Sequence, residues 1–427
     1  MSNNPVTNYS LSLKIGDTDL TPFVDMVTLV ASQDSFAEKV SIALHMSRET
    51  YDNTYLPNKD SVKLEIASDK GMNTAGEIPT VDASFSYDMC VISESRTLST
   101  ASVQEEVPAT DEYILVCIPR KNMAPLNKLI TDKTFYNKTR NDMLEDLLKE
   151  SGAEYEIQSE ILEKPAVIEQ CFIPPCRIPA AIRHLDHYFR LFKDGSPTYI
   201  NYAMDGKLYI GSCNNNSMDA VSMYMGGDRD SWVQANAVRS GNTEEYKYAI
   251  LFSNVARDYS MLSMATGTSQ TFVFSPMNKL YSKLNKKLEE YELPSPLTTE
   301  FGKTGNSLAA IAKVNKKESW IRGHNGLALE ETGNDDINYA NSFISSVYNR
   351  ANIIQAELEG IIVFSDVLRI GRRVKLATAT QTASFGGDYY VDSTRFEMTP
   401  SPRKEYWMGK AKVILKSGID MKKFSGK

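Results

Sequence analysis

Histidine is scarce in this chain, with four residues in 427; tryptophan is rarer still at three, and cysteine nearly as rare at five. With so few imidazoles and no Gly-x-Ser-x-Gly elbow, no nucleophile–base pairing of the Ser–His or Cys–His kind is visible. The cysteines (Cys90, Cys117, Cys171, Cys176 and Cys213) are odd in number and scattered, which predicts reduced core thiols rather than a disulfide framework. No stretch approaches the ~18 consecutive apolar residues that a membrane-spanning helix needs. Residues 1–16 lack the basic block and apolar block of a secretory signal, so the expectation is synthesis and folding in a cytoplasm. A basic excess is missing as well: the net charge is -7 and the pI about 5.4. That balance argues against a protein that coats nucleic acid, although an acidic face can let phosphate pass because like charges repel.

What is present is ordinary globular material, 42% hydrophobic and 24% charged, in a chain longer than one core usually supports. Two or more domains are expected. The first 120 residues read as short strands. Tyr9 to Ile15, Val40 to Met46 and Val62 to Ile66 alternate apolar and polar side chains, and Gly16-Asp17 marks a turn. Ala83 to Ile92 and Tyr113 to Ile118 are further strand candidates, with a polar loop at 68–80.

After Pro119 the pattern changes. Thr139 or Asn141 can cap a helix carrying Asp142 and Glu145 near its start, a stripe of Met143, Leu144, Leu147 and Leu148, and Gly152 just past its end. A second helix is predicted from Pro179 to Phe192, and Asp205-Gly206 predicts a hairpin over 198–210. Glu154 to Ile157 reads as a strand. Strands resume at 245–254 and 271–274. Lys, Leu and Glu in Met277 to Tyr291 predict a helix, Pro294 to Asn306 a loop, and Ile337 to Ala356 another helix. The C-terminal block is β again, at 355–364, 367–370, 374–377, 388–395 and 406–416. No internal repeat of solenoid or propeller period is found.

Candidate chemistry thins out under its own requirements. His184, Asp186 and His187 share one predicted helix near Cys171 and Cys176, but the cysteine spacing, with Pro174-Pro175 between, is not that of a zinc site. Gly302-Lys303-Thr304 lacks the upstream glycine of a phosphate-binding loop. His45 sits in a strand and His324 in a polar run. The acidic neighbours Glu105-Glu106, Glu289-Glu290 and Asp335-Asp336 read as solvated surface, and Lys283, Lys286 and Lys287 with Glu289, Glu290 and Glu292 as an ion-paired helix. No catalytic, cofactor-binding or metal-binding residue is assigned, and no cofactor is expected.

The order of segments carries more. Asp132 to Thr139 leads into the capped helix. The aromatic end of the next helix leads into the Tyr199/Tyr209 hairpin. Gly371-Arg372-Arg373-Val374-Lys375-Leu376 then precedes Tyr389-Tyr390-Val391 near the end. In this the chain resembles the baseplate central hub proteins of contractile-tailed phages, related to the base of VgrG and to late control protein D. Phe135-x-Asn137-x-Thr139, the aromatic-glycine-hairpin passage at 188–210 and the ending at 371–391 carry the resemblance.

The resemblance implies an α+β, β-dominated fold: two antiparallel, tube-forming β-barrel domains with α/β inserts. The first barrel is expected in 1–120, an α/β insert in 121–230, and the second barrel in 231–275 with 355–420. A helix-containing insertion occupies 276–354, for which the family offers no counterpart, and a tail 421–427. By the same resemblance the protein is a non-enzymatic homotrimer in the virion baseplate, assembled in the host cytoplasm. Its implied partners are tail tube proteins, a central spike protein, baseplate wedge proteins and the tape measure protein, and genome DNA passes without specific binding. A tail-associated wall-degrading enzyme and a receptor-binding tail protein are the competing functions.

Overall fold

The structure, a computed structural model, describes residues 8–54, 61–68, 84–97, 110–130, 133–161, 167–189, 191–192, 198–213, 216–225, 248–250, 252–256, 271–275, 280–284, 354–360, 369–378, 387–403 and 405–417. The alternating segments at the start fold as expected. They are β1 (Asn8–Ile15), β2 (Thr18–Asp19), β3 (Val24–Ser32), β4 (Lys39–Ser47), β5 (Val62–Ser68), β6 (Ser84–Thr97) and β7 (Thr110–Pro119), with a short helix α1 (Arg48–Thr54) after β4. Gly16 takes the turn after β1 at φ 60°. Along β1 the buried residues are Tyr9, Leu11, Leu13 and Ile15, and along β4 they include Val40, Ile42, Leu44 and Met46. One face of each strand is therefore core, while the other is mostly exposed or half-buried apart from the small Ala43 on β4, close to the pattern of a half-buried strand.

The insert follows: α2 (Arg120–Asn127), β8 (Leu129–Ile130), β9 (Lys133–Thr139), α3 (Arg140–Ser151), β10 (Glu154–Ile157), β11 (Val167–Ile173), β12 (Cys176–Arg177), α4 (Ile178–Phe189), β13 (Thr198–Tyr202) and β14 (Lys207–Ser212). The cap of α3 is the one the sequence predicts. Thr139 Oγ1 accepts from the Asp142 N–H and Asp142 Oδ2 accepts from the Thr139 N–H, each at 3.2 Å, and Gly152 ends the helix at φ 69°. Such a reciprocal box satisfies two donors that a helix start leaves open. Met143, Leu144, Leu147 and Leu148 are all buried. The second helix ends three residues earlier than expected, because the Leu191 N–H is taken by Asp186 Oδ1 at 3.0 Å, and Phe192 instead bridges Ile161. Gly206, at φ 84°, turns β13 into β14, and β10 adds parallel to β14.

The remaining strands are β15 (Val221–Met225), β16 (Tyr248–Ile250), β17 (Phe252–Ala256), β18 (Thr271–Ser275), β19 (Leu280–Leu284), β20 (Ile354–Gly360), β21 (Arg373–Thr378), β22 (Gly387–Pro400) and β23 (Trp407–Ser417). Three expectations change here. Residues 280–284 are a strand paired with β18, not part of a helix over 277–291. Residues 354–356 belong to β20 rather than to a helix over 337–356. Helix propensities differ by only tenths of a kcal/mol per residue, at most ~0.7 among ordinary residues, so a β-branched and aromatic neighbour such as Thr271–Ser275 overrides them by pairing. Arg369 and Ile370 lie in a turn, closed by the Arg372 N–H to Arg369 C=O bond of 3.0 Å and by Gly371 at φ 80°. The expected loop at 294–306 and most of the expected insertion lie outside the described residues.

The pairings form one closed path and one open path. Neighbour by neighbour, β22, β3, β4, β7, β6, β5, β1 and β23 are hydrogen-bonded in turn, and β23 pairs back to β22. A second path runs from β22 through β21 and β15 to β16, and from β17 through β20 to β23. One residue of sequence separates β16 from β17. The two paths share the β22–β23 hairpin. They are not wholly antiparallel, since β15 runs parallel to both β16 and β21. The long connection from β15 to β21 permits that direction, which a tight hairpin cannot.

Two hydrophobic clusters fill this frame. The larger takes the inward residues of the first path, among them Leu13, Val27, Ile42, Leu64, Met89, Leu115 and Met398, and continues through Tyr199 of the insert to Val374, Tyr390 and Leu415. The smaller packs α3 and α4 of the insert against Ala37, Cys90 and Ile118. At ~1.5–3 kcal/mol for each large apolar side chain buried, these cores decide the pairing. Single propensities do not.

Candidate functional site

The feature most specific to this fold is the place where the shared hairpin changes partners. β22 is 14 residues long, longer than most strands. Tyr389, Tyr390 and Val391 are consecutive and all buried, so the alternation breaks there. The register with β23 shifts between Val391 and Ser393, leaving Asp392 as the extra residue of a bulge. Before the bulge β22 pairs with β21 (Leu376↔Gly387 to Arg373↔Tyr390), and after it with β3 (Ser393↔Ser32 to Met398↔Val27). A bulge bends a strand and raises its twist, and here the bend directs one strand into two sheets. β23 does the same on the far edge, pairing with β1 at Trp407 and Met408 and with β20 from Ala411 to Ser417. Asp392 is held by Lys416 Nζ at 2.9 Å, with its side chain 14% exposed. Burial pushes its carboxyl above the ordinary value, against the pull of Lys416.

Against this bulge sits the β3–β4 turn, Gln33 to Glu38. The Gln33 N–H donates to the Asp392 C=O at 3.1 Å, and Gln33 Nε2 lies 3.1 Å from Cys213 Sγ. Arg183 of α4 donates to the Gln33 C=O at 2.7 Å and lies over the Phe36 ring at 4.3 Å. Ala37 bridges Tyr202 in parallel, through Tyr202 N–H to Phe36 C=O (2.8 Å) and Glu38 N–H to Tyr202 C=O (2.9 Å). Glu38 is half-buried by area, yet its carboxylate is enclosed. It accepts from Asn201 Nδ2 at 2.9 Å and from the Met204 N–H at 2.6 Å. Enclosure raises its carboxyl above the ordinary 4.5 despite those two bonds and the nearby Arg369 guanidinium, and the charge of Asp205 adds to the rise. Arg369 in turn pairs with Asp205 at 3.4 Å and covers the Tyr209 ring at 4.8 Å. First path, insert and C-terminal block thus meet at one polar joint.

The outer surface of the insert carries apolar side chains that nothing described covers. Leu129 and Tyr136 are each 63% exposed and Val167 is 56% exposed. Tyr136 stands opposite Gln170 on the two-stranded ribbon of β9 and β11, and Leu129 opposite Arg177 on β8 and β12. The ribbon is tied to α3 by the Lys133–Glu150 and Lys138–Asp146 ion pairs.

The residues singled out for chemistry do not converge. His184 is half-buried on α4, Asp186 caps Leu191, Cys171 is buried in β11 and Cys176 half-buried in β12. Among the described residues no group of three or more His, Cys, Asp or Glu is placed to hold a metal. His45 is exposed, with Nε2 2.6 Å from Thr110 Oγ1 and Nδ1 3.7 Å from Asp25. All five cysteines are free thiols. His324, the Gly302-Lys303-Thr304 run and the acidic pairs at 105–106, 289–290 and 335–336 lie outside the described residues. The joint itself escaped sequence reading. The signals for it were Phe36 inside a polar loop and the lapse of alternation at Tyr389-Tyr390-Val391.

No family model matches the sequence, and no curated protein does. Solved structures do align along its length. The tail protein from Neisseria meningitidis MC58 is 10% identical, with 97% of this chain and 98% of that one covered and a TM-score of 0.49. The 43 kDa tail protein of prophage MuSo2 from Shewanella oneidensis is 10% identical, with 96% of each chain covered and a TM-score of 0.45. An E. coli component of the type VI secretion system is 8% identical, with 93% of this chain and 74% of that one covered and a TM-score of 0.43. It is to tail proteins and a secretion-system component that the chain is similar.

Proposed function

We propose that the chain is the structural, non-enzymatic hub of a phage tail baseplate, a trimeric ring that joins the tail tube to the central spike. The observation that carries this reading is one closed strand path and a second, open one that share a single hairpin. Each path is read as one barrel. The first lies within residues 1–120 and is completed by the C-terminal hairpin, and the second lies within 231–275 and 355–420 and draws on β15 from the edge of the 121–230 insert. Sharing β22 and β23 fixes the two rings to each other rigidly. Three copies then present six similar units, which lets a three-fold spike meet a six-fold tube.

The channel belongs to the assembly and not to one subunit. The inward face of the first path is packed with side chains, so DNA passes only along outward faces contributed by several copies. A net charge of -7 per chain keeps phosphate from adhering there. Tail tube, spike, wedge and tape measure proteins are the partners of such a ring, in a virion baseplate built in the host cytoplasm. The exposed apolar side chains of Leu129, Tyr136 and Val167 are available to them.

Negative-stain imaging with native mass measurement tests the reading. A three-fold ring with a central hole is the expected result, and DNA retention at physiological salt is expected to be weak. A stable monomer at micromolar concentration, or tight DNA binding, would sink it.

A further inference from the structure

Phe36 has a backbone φ of 57°, in the left-handed region, where a bulky residue is rare because its β-carbon crowds the following carbonyl oxygen. Such strain persists only where surrounding contacts over-determine it. Here the contacts come from the insert on one side and the shared hairpin on the other. Tyr202 N–H binds the Phe36 carbonyl and Glu38 N–H binds the Tyr202 carbonyl, so the turn adds as a short parallel bridge to the edge of β13. The Arg183 guanidinium covers the ring and holds the Gln33 carbonyl. The Glu38 carboxylate takes two donors from the β13–β14 hairpin region. Gln33 meanwhile anchors the other end of the turn to Asp392 at the bulge.

All of these bonds join segments distant in sequence. The turn adds Ala37 and the partly buried Phe36 to the α3–α4 core of the insert, whose other members come from outside the turn. The strands on either side of the turn are held by their own ladders, β3 to β22 and β4 to β7. Opening the turn therefore relieves the Phe36 backbone and frees the insert edge, and it leaves both ladders intact.

We propose that Gln33 to Glu38 is a strained latch, a conformational device that holds the α/β insert against the shared hairpin and opens locally while both cores stay folded. In a hub that must accommodate partners of different symmetry, the latch is the point at which the insert yields relative to the strand rings. This use rests on the function proposed above, but the latch itself does not.

Hydrogen exchange of the full chain, read by mass spectrometry, tests it. Glu38→Ala and Arg183→Met each remove one clamp. The expected result is faster exchange at the amides of Tyr202, Glu38 and Met204, with α3 and the centres of β3, β4 and β7 still protected. Loss of protection everywhere at once, or no change at these three amides, overturns the latch. A second pair isolates the strain. Phe36→Gly and Phe36→Ala both delete the ring, but only alanine still resists a left-handed backbone. The alanine variant should open the Tyr202 amide about 5-fold more often than the glycine variant, the low end of what a left-handed L-residue costs. Equal opening in the two variants refutes the strain. Because this readout is local exchange and not ring assembly, it stands or falls apart from the hub reading.

Discussion

Three glycines separate the two reasons a backbone position refuses a side chain, and alanine at each should cost a different amount. Gly152, at φ 69°, has nothing within 4 Å of where a Cβ would sit, so Gly152→Ala meets only the left-handed backbone. Gly409 lies outside that region, but its Cβ would come 2.6 Å from Phe396 Cζ and 2.7 Å from Tyr9 Cε2. Those rings form an edge-on pair with centroids 5.6 Å apart, and Tyr9 is 1% exposed, so Gly409→Ala meets only crowding. Gly371 has both problems. Its φ is 80°, and a Cβ would lie 2.5 Å from Tyr199 Cε1 and still nearer to another atom of that ring. Tyr199 cannot retreat, because it is fully buried and its hydroxyl donates to Gln158 Oε1 at 2.5 Å.

The backbone effect is worth about 1–2 kcal/mol and overpacking of a buried ring about 1–3 kcal/mol. Gly371→Ala should therefore lose about 2–5 kcal/mol, close to the sum of the losses at the other two positions. Equilibrium urea denaturation reads all three, followed by tryptophan fluorescence, since Trp407 is buried in the shared hairpin at 7% exposure. If Gly152→Ala proves as costly as Gly371→Ala, the crowding at Tyr199 contributes nothing and the account of the junction is wrong.

Thr139→Ala removes the hydroxyl half of the capping box and should cost about 1 kcal/mol, seen as a lower urea midpoint with α3 amides exchanging first. Glu38→Gln removes a carboxyl whose pKa enclosure has raised above 4.5. The folded protein holds that proton more tightly than the unfolded chain, so its contribution is full below 4.5 and is lost as pH rises through the raised value. The variant should thus gain stability relative to the parent as pH climbs from 4.5, and a constant difference across that range would refute the assignment. With a thiol reagent on the native protein, Cys176, the one half-buried thiol, should react first. Cys90, Cys117, Cys171 and Cys213 are buried, and burial pushes Cys117 up to about 12, so these four should wait for denaturant. Early labelling of Cys117 would contradict the packed interior of the first path.

Local chemistry was legible in the chain itself. Alternation at Tyr9 to Ile15 and Val40 to Met46 gives strands with one buried face, because side chains in an extended backbone point to opposite sides in turn. Thr139 with Asp142 and Gly152 bounds α3, and Asp205-Gly206 closes a hairpin, because capping and turn geometry depend on residues within four positions of each other. The β-dominated class follows from those elements. What each strand pairs with does not. The same 14 residues of β22 serve β21 on one side of Asp392 and β3 on the other, and β3 arrives from the opposite end of the chain although β21 is the strand next to β22 in sequence. Residues 280–284 became a strand for the same reason, since a neighbour's edge outweighs propensities of a few tenths of a kcal/mol. The turn at Gln33 to Glu38 looks like a polar connector until the insert and the hairpin close around it. Short-range order was thus written in the sequence, whereas the two strand paths, the bulge that joins them and the strained turn that braces them were decided only by tertiary pairing.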